Sequence, residues 1–167
     1  MSRPVGDRKY EMSVLRNTAR WQRGRERYPL QRTPQALFNQ LDREFHFTLD
    51  AAASDRNAKC AVYLTETDDA LHRPWAPAVV WCNPPYGRGI RAWVEKGYRE
   101  AGLGALVVML VPATTDLAWW HEVASYADEI RFIRGRVAFE RENGEVRYGT
   151  RFANSFFSSA VLVFRPT

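Results

Sequence analysis

The run ALVVMLV, residues 105–111, carries seven consecutive side chains without a polar group. Successive side chains of a strand point to opposite faces. A strand with one wet face therefore alternates, whereas this one needs apolar cover on both sides. That is the situation of a central strand in a parallel sheet flanked by helices. AVVWC, residues 78–82, reads as a second compact buried strand.

The segments around these runs have helical spacing. Thr33-Pro34 predicts a helix start, with Thr as a cap and Pro at the first helical position, and Leu37, Phe38 and Leu41 follow on one face. Residues 90–101 predict a second helix, with Ile90, Trp93, Val94, Gly97 and Tyr98 close to one face, and residues 115–127 a third. FHFTLD (45–50) alternates and reads as a strand, with a short strand at 61–64 and further strands at 129–140 and 158–165. Strands alternating with helices argue for an α/β sandwich with a mainly parallel sheet. Ligands of such sheets sit beyond the carboxyl ends of the strands. Two apolar strands end there in polar residues, Asp50 and Asn83.

The chain has 167 residues, 46% of them hydrophobic and 26% charged, which fits one domain with a full core. Residues 1–30 hold eight basic and three acidic side chains, so the whole formal charge of +5 lies there. The expectation is a basic, flexible N-terminal arm (1–30) ahead of a neutral single domain (31–167), a distribution that suits a polyanion partner or a solvated leader. No apolar run is long enough to span a bilayer, and the N-terminus is too basic and polar for a secretory signal. The expected compartment is therefore the cytoplasm. Cys60 and Cys82 fit neither a metal spacing nor a disulfide framework and read as small core residues; no metal is expected.

The strand at 78–82 leaves through Asn83-Pro84-Pro85-Tyr86 and then Gly87-Arg88-Gly89. Each proline fixes φ near −65° and removes a backbone donor, and Pro84 pushes Asn83 towards extended geometry. The Asn83 side-chain oxygen and the Pro84 carbonyl can thus stand side by side as two acceptors, with the Tyr86 ring beside them. Two acceptors and a stacking ring suit a flat molecule bearing an NH2 group. Hydrogen bonds from both amine protons draw the nitrogen lone pair out of conjugation, so the amine becomes nucleophilic without a strong base. The plainer alternative is a proline turn that ends a strand.

Asp50 with Ala51 and Ala52 leaves room for an adenosyl group, and an acid there suits a sulfonium donor; a simple cap after a strand is the alternative. Arg88 and Arg91 follow the elbow and suit flanking phosphates, or are surface residues of a helix start, where the macrodipole disfavours them. Residues 141–155 interleave Arg141, Arg147 and Arg151 with Tyr148 and Phe152, which suits nucleic-acid contacts; a hairpin turning at Asn143-Gly144 reads equally well.

The order TPQALFNQLDREFHFTLDAAA, DDALHRPW, VVWCNPPYG resembles the phage-type DNA N6-adenine methyltransferase (Dam) family over about residues 32–166. The resemblance implies a Rossmann-like methyltransferase fold, with a mainly parallel central sheet, helices on both faces and a C-terminal antiparallel strand. It implies S-adenosyl-L-methionine as cofactor, a flipped adenine of DNA as substrate, and a phage or prophage source. Thr33 and Pro34 then lie near the methionine part of the cofactor, Asp50, Ala51 and Ala52 in its first motif, and Asp69 at its adenine amine. Asn83, Pro84, Pro85 and Tyr86 are the catalytic motif, and Arg88, Arg91, Arg147 and Arg151 contact DNA. The cofactor turn departs from the usual methyltransferase loop in lacking glycines. For the ribose hydroxyls Glu66 is the candidate acid ahead of Asp55. The rival readings are another amine acceptor (cytosine N4, an RNA base, a protein glutamine) and a non-catalytic nucleic-acid-binding module.

Overall fold

The computed structural model describes residues 32–140 and 157–167. The N-terminal arm and the segment with Arg147 and Arg151 lie outside them. In chain order the elements are α1 (Gln35–Phe45), β1 (Leu49–Asp50), β2 (Val62–Tyr63), β3 (Val79–Cys82), α2 (Ile90–Gly102), β4 (Leu106–Pro112), α3 (Ala118–Glu122), β5 (Glu129–Phe132) and β6 (Ser159–Phe164).

The six strands form one sheet in the order β2-β1-β3-β4-β6-β5. The first four run parallel, β6 runs antiparallel to β4, and β5 runs antiparallel to β6. β5 therefore points the same way as the parallel four, and β6 is the one reversed strand among them. The seven-residue apolar run becomes β4 and lies between β3 and β6, with Val107 to Val111 fully buried.

Helices cover the two faces. Trp81 of β3 is in register with Val108 of β4, and its ring meets the rings of Phe38 of α1 and Phe47 at 5.6 Å each. The opposite face carries Val107, Met109 and Phe164. A methyl group built on Gly97 of α2 would lie 2.7 Å from the Met109 sulfur and 3.3 Å from Val107 Cγ1. Gly97 is thus where α2 comes closest to the sheet, and a side chain there would hold it off.

Several sequence expectations change in detail. Thr33 does not cap α1: Pro34 occupies the cap position with no side-chain cap bond, and Thr33 is buried. The strand expected at 45–50 shrinks to Leu49–Asp50, because Phe45 completes the buried α1 face begun by Phe38 and Leu41. His46 then ends the helix in the left-handed region (φ 57°), and its N–H donates to the Asp42 carbonyl. The expected helix at 115–127 is α3 followed by a separate 3-10 turn at Ala124–Tyr126. The expected strand at 129–140 stops at Phe132, ahead of Gly135 at φ 80°, and only Glu140 pairs again, in an antiparallel bridge with Arg32.

A buried ion pair anchors the entry to β3. Glu100 of α2 accepts the backbone N–H of Trp75 (2.7 Å) and Ala76 (3.0 Å) on one oxygen and the Lys96 ammonium (2.5 Å) on the other. Burial pushes the Glu100 carboxyl up, but Lys96 and the two backbone donors outweigh it and hold it below its ordinary value. Lys96 also stands over the Trp75 ring, 5.6 Å from its centroid. No helix among the described residues is long and apolar enough to cross a membrane.

Candidate active site

The chain passes from β1 outward to β2, then crosses back to β3 on the other side of β1. The loops leaving β1 and β3 therefore diverge, which makes the carboxyl ends of these two strands a topological switch point, the place where such sheets bind ligands. Asp50 is in register with Trp81, and Ala51 N–H donates to the Trp81 carbonyl at 2.9 Å. Asn83 follows Trp81 by two residues. The acid and the amide singled out in the sequence thus leave neighbouring strands on the same rim.

Asp50 is 2% exposed. One oxygen accepts Ala52 N–H at 3.2 Å and the other Lys59 N–H at 3.0 Å, so the side chain folds the 51–59 loop back onto the strand end. It fills the role of a loop clasp, not of a helix cap. Burial pushes its carboxyl up to about 6, against the pull of these two N–H donors and of the Lys59 charge. The Lys59 ammonium itself donates to Gln35 Oε1 at 2.7 Å. That bond ties the loop to the start of α1 and brings Thr33 and Pro34 towards the same region. Lys59 and Gln35 carry no motif in the sequence, and only the fold marks them. Ala51 and Ala53 are buried and Ala52 is half-buried, so the turn beside the acid itself contributes only methyl side chains.

Asp69 lies beyond β2, at the end of a 3-10 turn (Glu66–Asp68), with φ 53°. Its Oδ2 is 2.6 Å from His72 Nδ1, and both side chains are about half exposed. Asp68 turns inward on its own loop, accepting Thr65 N–H at 2.8 Å and the Thr65 hydroxyl at 2.7 Å, and these bonds hold its carboxyl low. Glu66 stands three positions past the carboxyl end of β2, whereas Asp55 accepts the Tyr63 hydroxyl at 3.0 Å.

At the elbow, Pro84 is buried and Asn83 and Pro85 are half-buried. Asn83 Oδ1 is itself enclosed by protein. Tyr86 is 7% exposed. Its hydroxyl donates to the Leu110 carbonyl at 3.3 Å, and its ring meets those of Phe139 (5.8 Å) and Phe157 (5.3 Å) near right angles. Both phenylalanines lie in the connection between β5 and β6, and their spacing in the sequence carries no sign that they meet Tyr86.

Arg88 is exposed on the loop after the elbow. Arg91 is held by Glu95 one turn along α2 (2.7 Å) and by Glu122 of α3. These carboxylates offset the macrodipole penalty expected at its position, and they join α2 to α3. Burial pushes the Cys60 thiol up to about 12 and that of Cys82 well above its ordinary value, so both stay protonated near neutrality. Among the described residues, no group of three His, Cys, Asp or Glu side chains gathers as metal ligands.

Against known proteins, a family model described as DNA N-6-adenine-methyltransferase (Dam) matches residues 23–167. The DNA N-6-adenine-methyltransferase of Escherichia phage T1 is 30% identical over 123 residues, covering 72% of this chain and 51% of the relative. That of Haemophilus phage HP1 is 29% identical over 118 residues, 68% of each chain. The chain thus spans about half the length of the phage T1 relative.

Proposed function

The chain belongs to the DNA N-6-adenine-methyltransferase (Dam) family, and from that premise we propose that it transfers a methyl group from S-adenosyl-L-methionine to the N6 amine of adenine in DNA. The observation that carries the reading is the pairing of β1 with β3, which brings Asp50 and the Asn83 elbow to one rim of the sheet. The sheet order and the reversed β6 suit a Rossmann-like methyltransferase fold, with residues 31–167 as its single domain.

The residues present fit the cofactor. The Asp50 carboxylate is buried and its hydrogen bonds among the described residues come from backbone N–H groups, so a cationic ligand would add to the partial compensation that the Lys59 charge gives. The adjacent alanines leave space at the turn. When bound, the cofactor supplies an electrophilic methyl group on a sulfonium. Thr33 and Pro34 border its methionine end, Ala51 and Ala52 line the turn, Glu66 takes the ribose, and Asp69 receives the adenine amine.

For the target base, the Pro84 carbonyl and Asn83 Oδ1, which is enclosed in the free protein and must be uncovered as the base enters, accept the two amine protons and turn the lone pair towards the methyl carbon. Pro85 keeps the corner rigid, and Tyr86 supplies the aromatic wall. The base must leave the DNA stack to arrive there, at a cost of about a few kcal/mol that pocket contacts offset. No strong base is required, because the proton leaves after the N–C bond forms. Holding donor and acceptor at near-attack distance supplies most of the rate. Arg88 is assigned to a flanking phosphate, with Arg147 and Arg151 on the 141–155 loop. Arg91, committed to two carboxylates, positions α2 instead. The source is a phage or prophage, and the site of action is the host cytoplasm.

The test is transfer of labelled methyl groups to DNA, RNA and protein, followed by nucleoside analysis of the DNA. N6-methyladenine is the expected product. N4-methylcytosine would move the assignment to the other exocyclic amine, and label found mainly in protein would end the DNA reading.

A further inference from the structure

β5 points the same way as the parallel strands, so residues 133–140 leave it at the rim that carries Asn83. This segment does not turn away. Val137 and Phe139 are buried, the Phe139 ring meets Tyr86, and Glu140 exchanges two backbone hydrogen bonds of 3.0 Å with Arg32 just before α1. It therefore crosses the rim from the β5 edge towards the Asp50 loop, pinned at the elbow and at its far end. Its outward residues include Arg134 and Arg136, both exposed, around Gly135 at φ 80°.

The charge around the molecule is not evenly neutralised. Arg131 pairs with Glu44 and Glu129, Arg165 with Glu129, and Arg91 with Glu95 and Glu122. Arg88 and Arg134 are exposed and have no carboxylate partner among the described residues. Both leave the carboxyl ends of strands, β3 and β5. Beyond β1 and β2 the rim carries Asp50, Asp55, Glu66, Asp68 and Asp69 together with Arg56, Lys59 and Arg73, and Asp116 follows β4. The buried Asp50 carboxylate suits the cationic cofactor, and the exposed Arg88 and Arg134 suit phosphate.

We propose that residues 133–140 form a phosphate-bearing ridge for duplex DNA, with Arg134 as its main contact and Arg136 beside it, acting with Arg88 across the elbow. The proposal rests on the methyltransferase reading above. The ridge is tied to Tyr86 through Phe139, so a phosphate seated on Arg134 fixes the distance between the duplex backbone and the pocket. Phosphate contacts of this kind set register and carry no sequence information.

The test measures duplex binding by fluorescence anisotropy across a salt series, using the full chain. Arg134→Ala should weaken binding at every duplex sequence and lower the slope of log affinity against log salt by about one unit. Arg134→Lys should recover most of the slope, and Arg134→Ala/Arg88→Ala should lower it by about two units. Arg43→Ala, in the last turn of α1 ahead of the amino end of β1, should change nothing. Cofactor binding by calorimetry should match wild type throughout. An unchanged slope in Arg134→Ala, or an equal loss in Arg43→Ala, overturns the ridge while the enzyme reading stands. A wild-type chain that binds and methylates no DNA overturns both.

Discussion

The Tyr86 hydroxyl donates to the Leu110 carbonyl on β4, 3.3 Å away. The bond is long and joins a neutral donor to a neutral acceptor. The ring, held edge-to-face by Phe139 and Phe157, matters more than the hydroxyl. Tyr86→Phe should therefore lower stability by only about 0.5–1.5 kcal/mol and leave methyl transfer within a few fold of wild type. Tyr86→Ala should lower stability by about 3–5 kcal/mol, the scale of removing a buried aromatic ring. Denaturant unfolding and steady-state assays check both, and a Phe variant as damaged as the Ala variant would put the function of Tyr86 in its hydroxyl.

Asn83 is assigned to orienting and activating the amine. Asn83→Ala should reduce kcat by about 10²–10³-fold, the range for losing one preorganised transition-state partner. Cofactor affinity should stay near wild type, because Asn83 is placed against the base. Joint loss of cofactor binding and activity would make Asn83 a structural residue.

Asp50 predicts a specific pH dependence. Burial raises its folded value to about 6, above the ordinary 3.8. The folded state therefore holds the proton more tightly, and stability falls as pH rises through the window from about 4 to about 6. The ionised group then costs about 3 kcal/mol above that window. Asp50→Asn should flatten the stability profile of the free protein between these limits. A cationic ligand favours the ionised form, so wild-type affinity for S-adenosylmethionine should weaken as pH drops from 7 to 5. Calorimetry across pH checks the sign, and tighter binding at pH 5 would refute the pairing of Asp50 with the cofactor.

Gly97 is the contact between α2 and the sheet. Gly97→Ala places a carbon 2.7 Å from the Met109 sulfur, so α2 must lift or Met109 must repack within a full core. The expected loss is about 1–3 kcal/mol, despite the better helix propensity of alanine. Thermal unfolding reads it directly, and a stabilised variant would mean that Met109 moves freely.

Glu100 satisfies Lys96 and two backbone N–H groups in a buried site. Glu100→Ala leaves a buried ammonium and two orphaned donors, so a loss of about 3–5 kcal/mol is expected. Glu100→Gln, which keeps acceptors for the N–H groups, should lose less. Chemical denaturation separates the two variants, and equal losses would assign the effect to the missing charge alone.

Much of this architecture was legible in the sequence for a local reason. ALVVMLV has no face that tolerates water, so it had to be an interior strand, and VVWC led directly into the Asn83 elbow. The acid and the amide at the strand ends followed from the same logic. Phe45 shows where local pattern misleads: alternation with Phe47 and Leu49 looked like a strand, but its packing with Leu41 and Phe38 on the α1 face won. Nothing local to Tyr86 announces that Phe139 and Phe157 close over its ring.

By itself the sequence determined which segments avoid water and which short stretches have rigid or acidic chemistry, since hydrophobic period, proline stereochemistry and charge are properties of neighbours along the chain. The tertiary structure decided which of those stretches share a rim. Lys59 clasped to Gln35, Arg91 joined to Glu122, Glu100 beneath Trp75 and Glu140 bridged to Arg32 are pairings across space. Each is made by the packing of whole elements, and no spacing within a single segment encodes them.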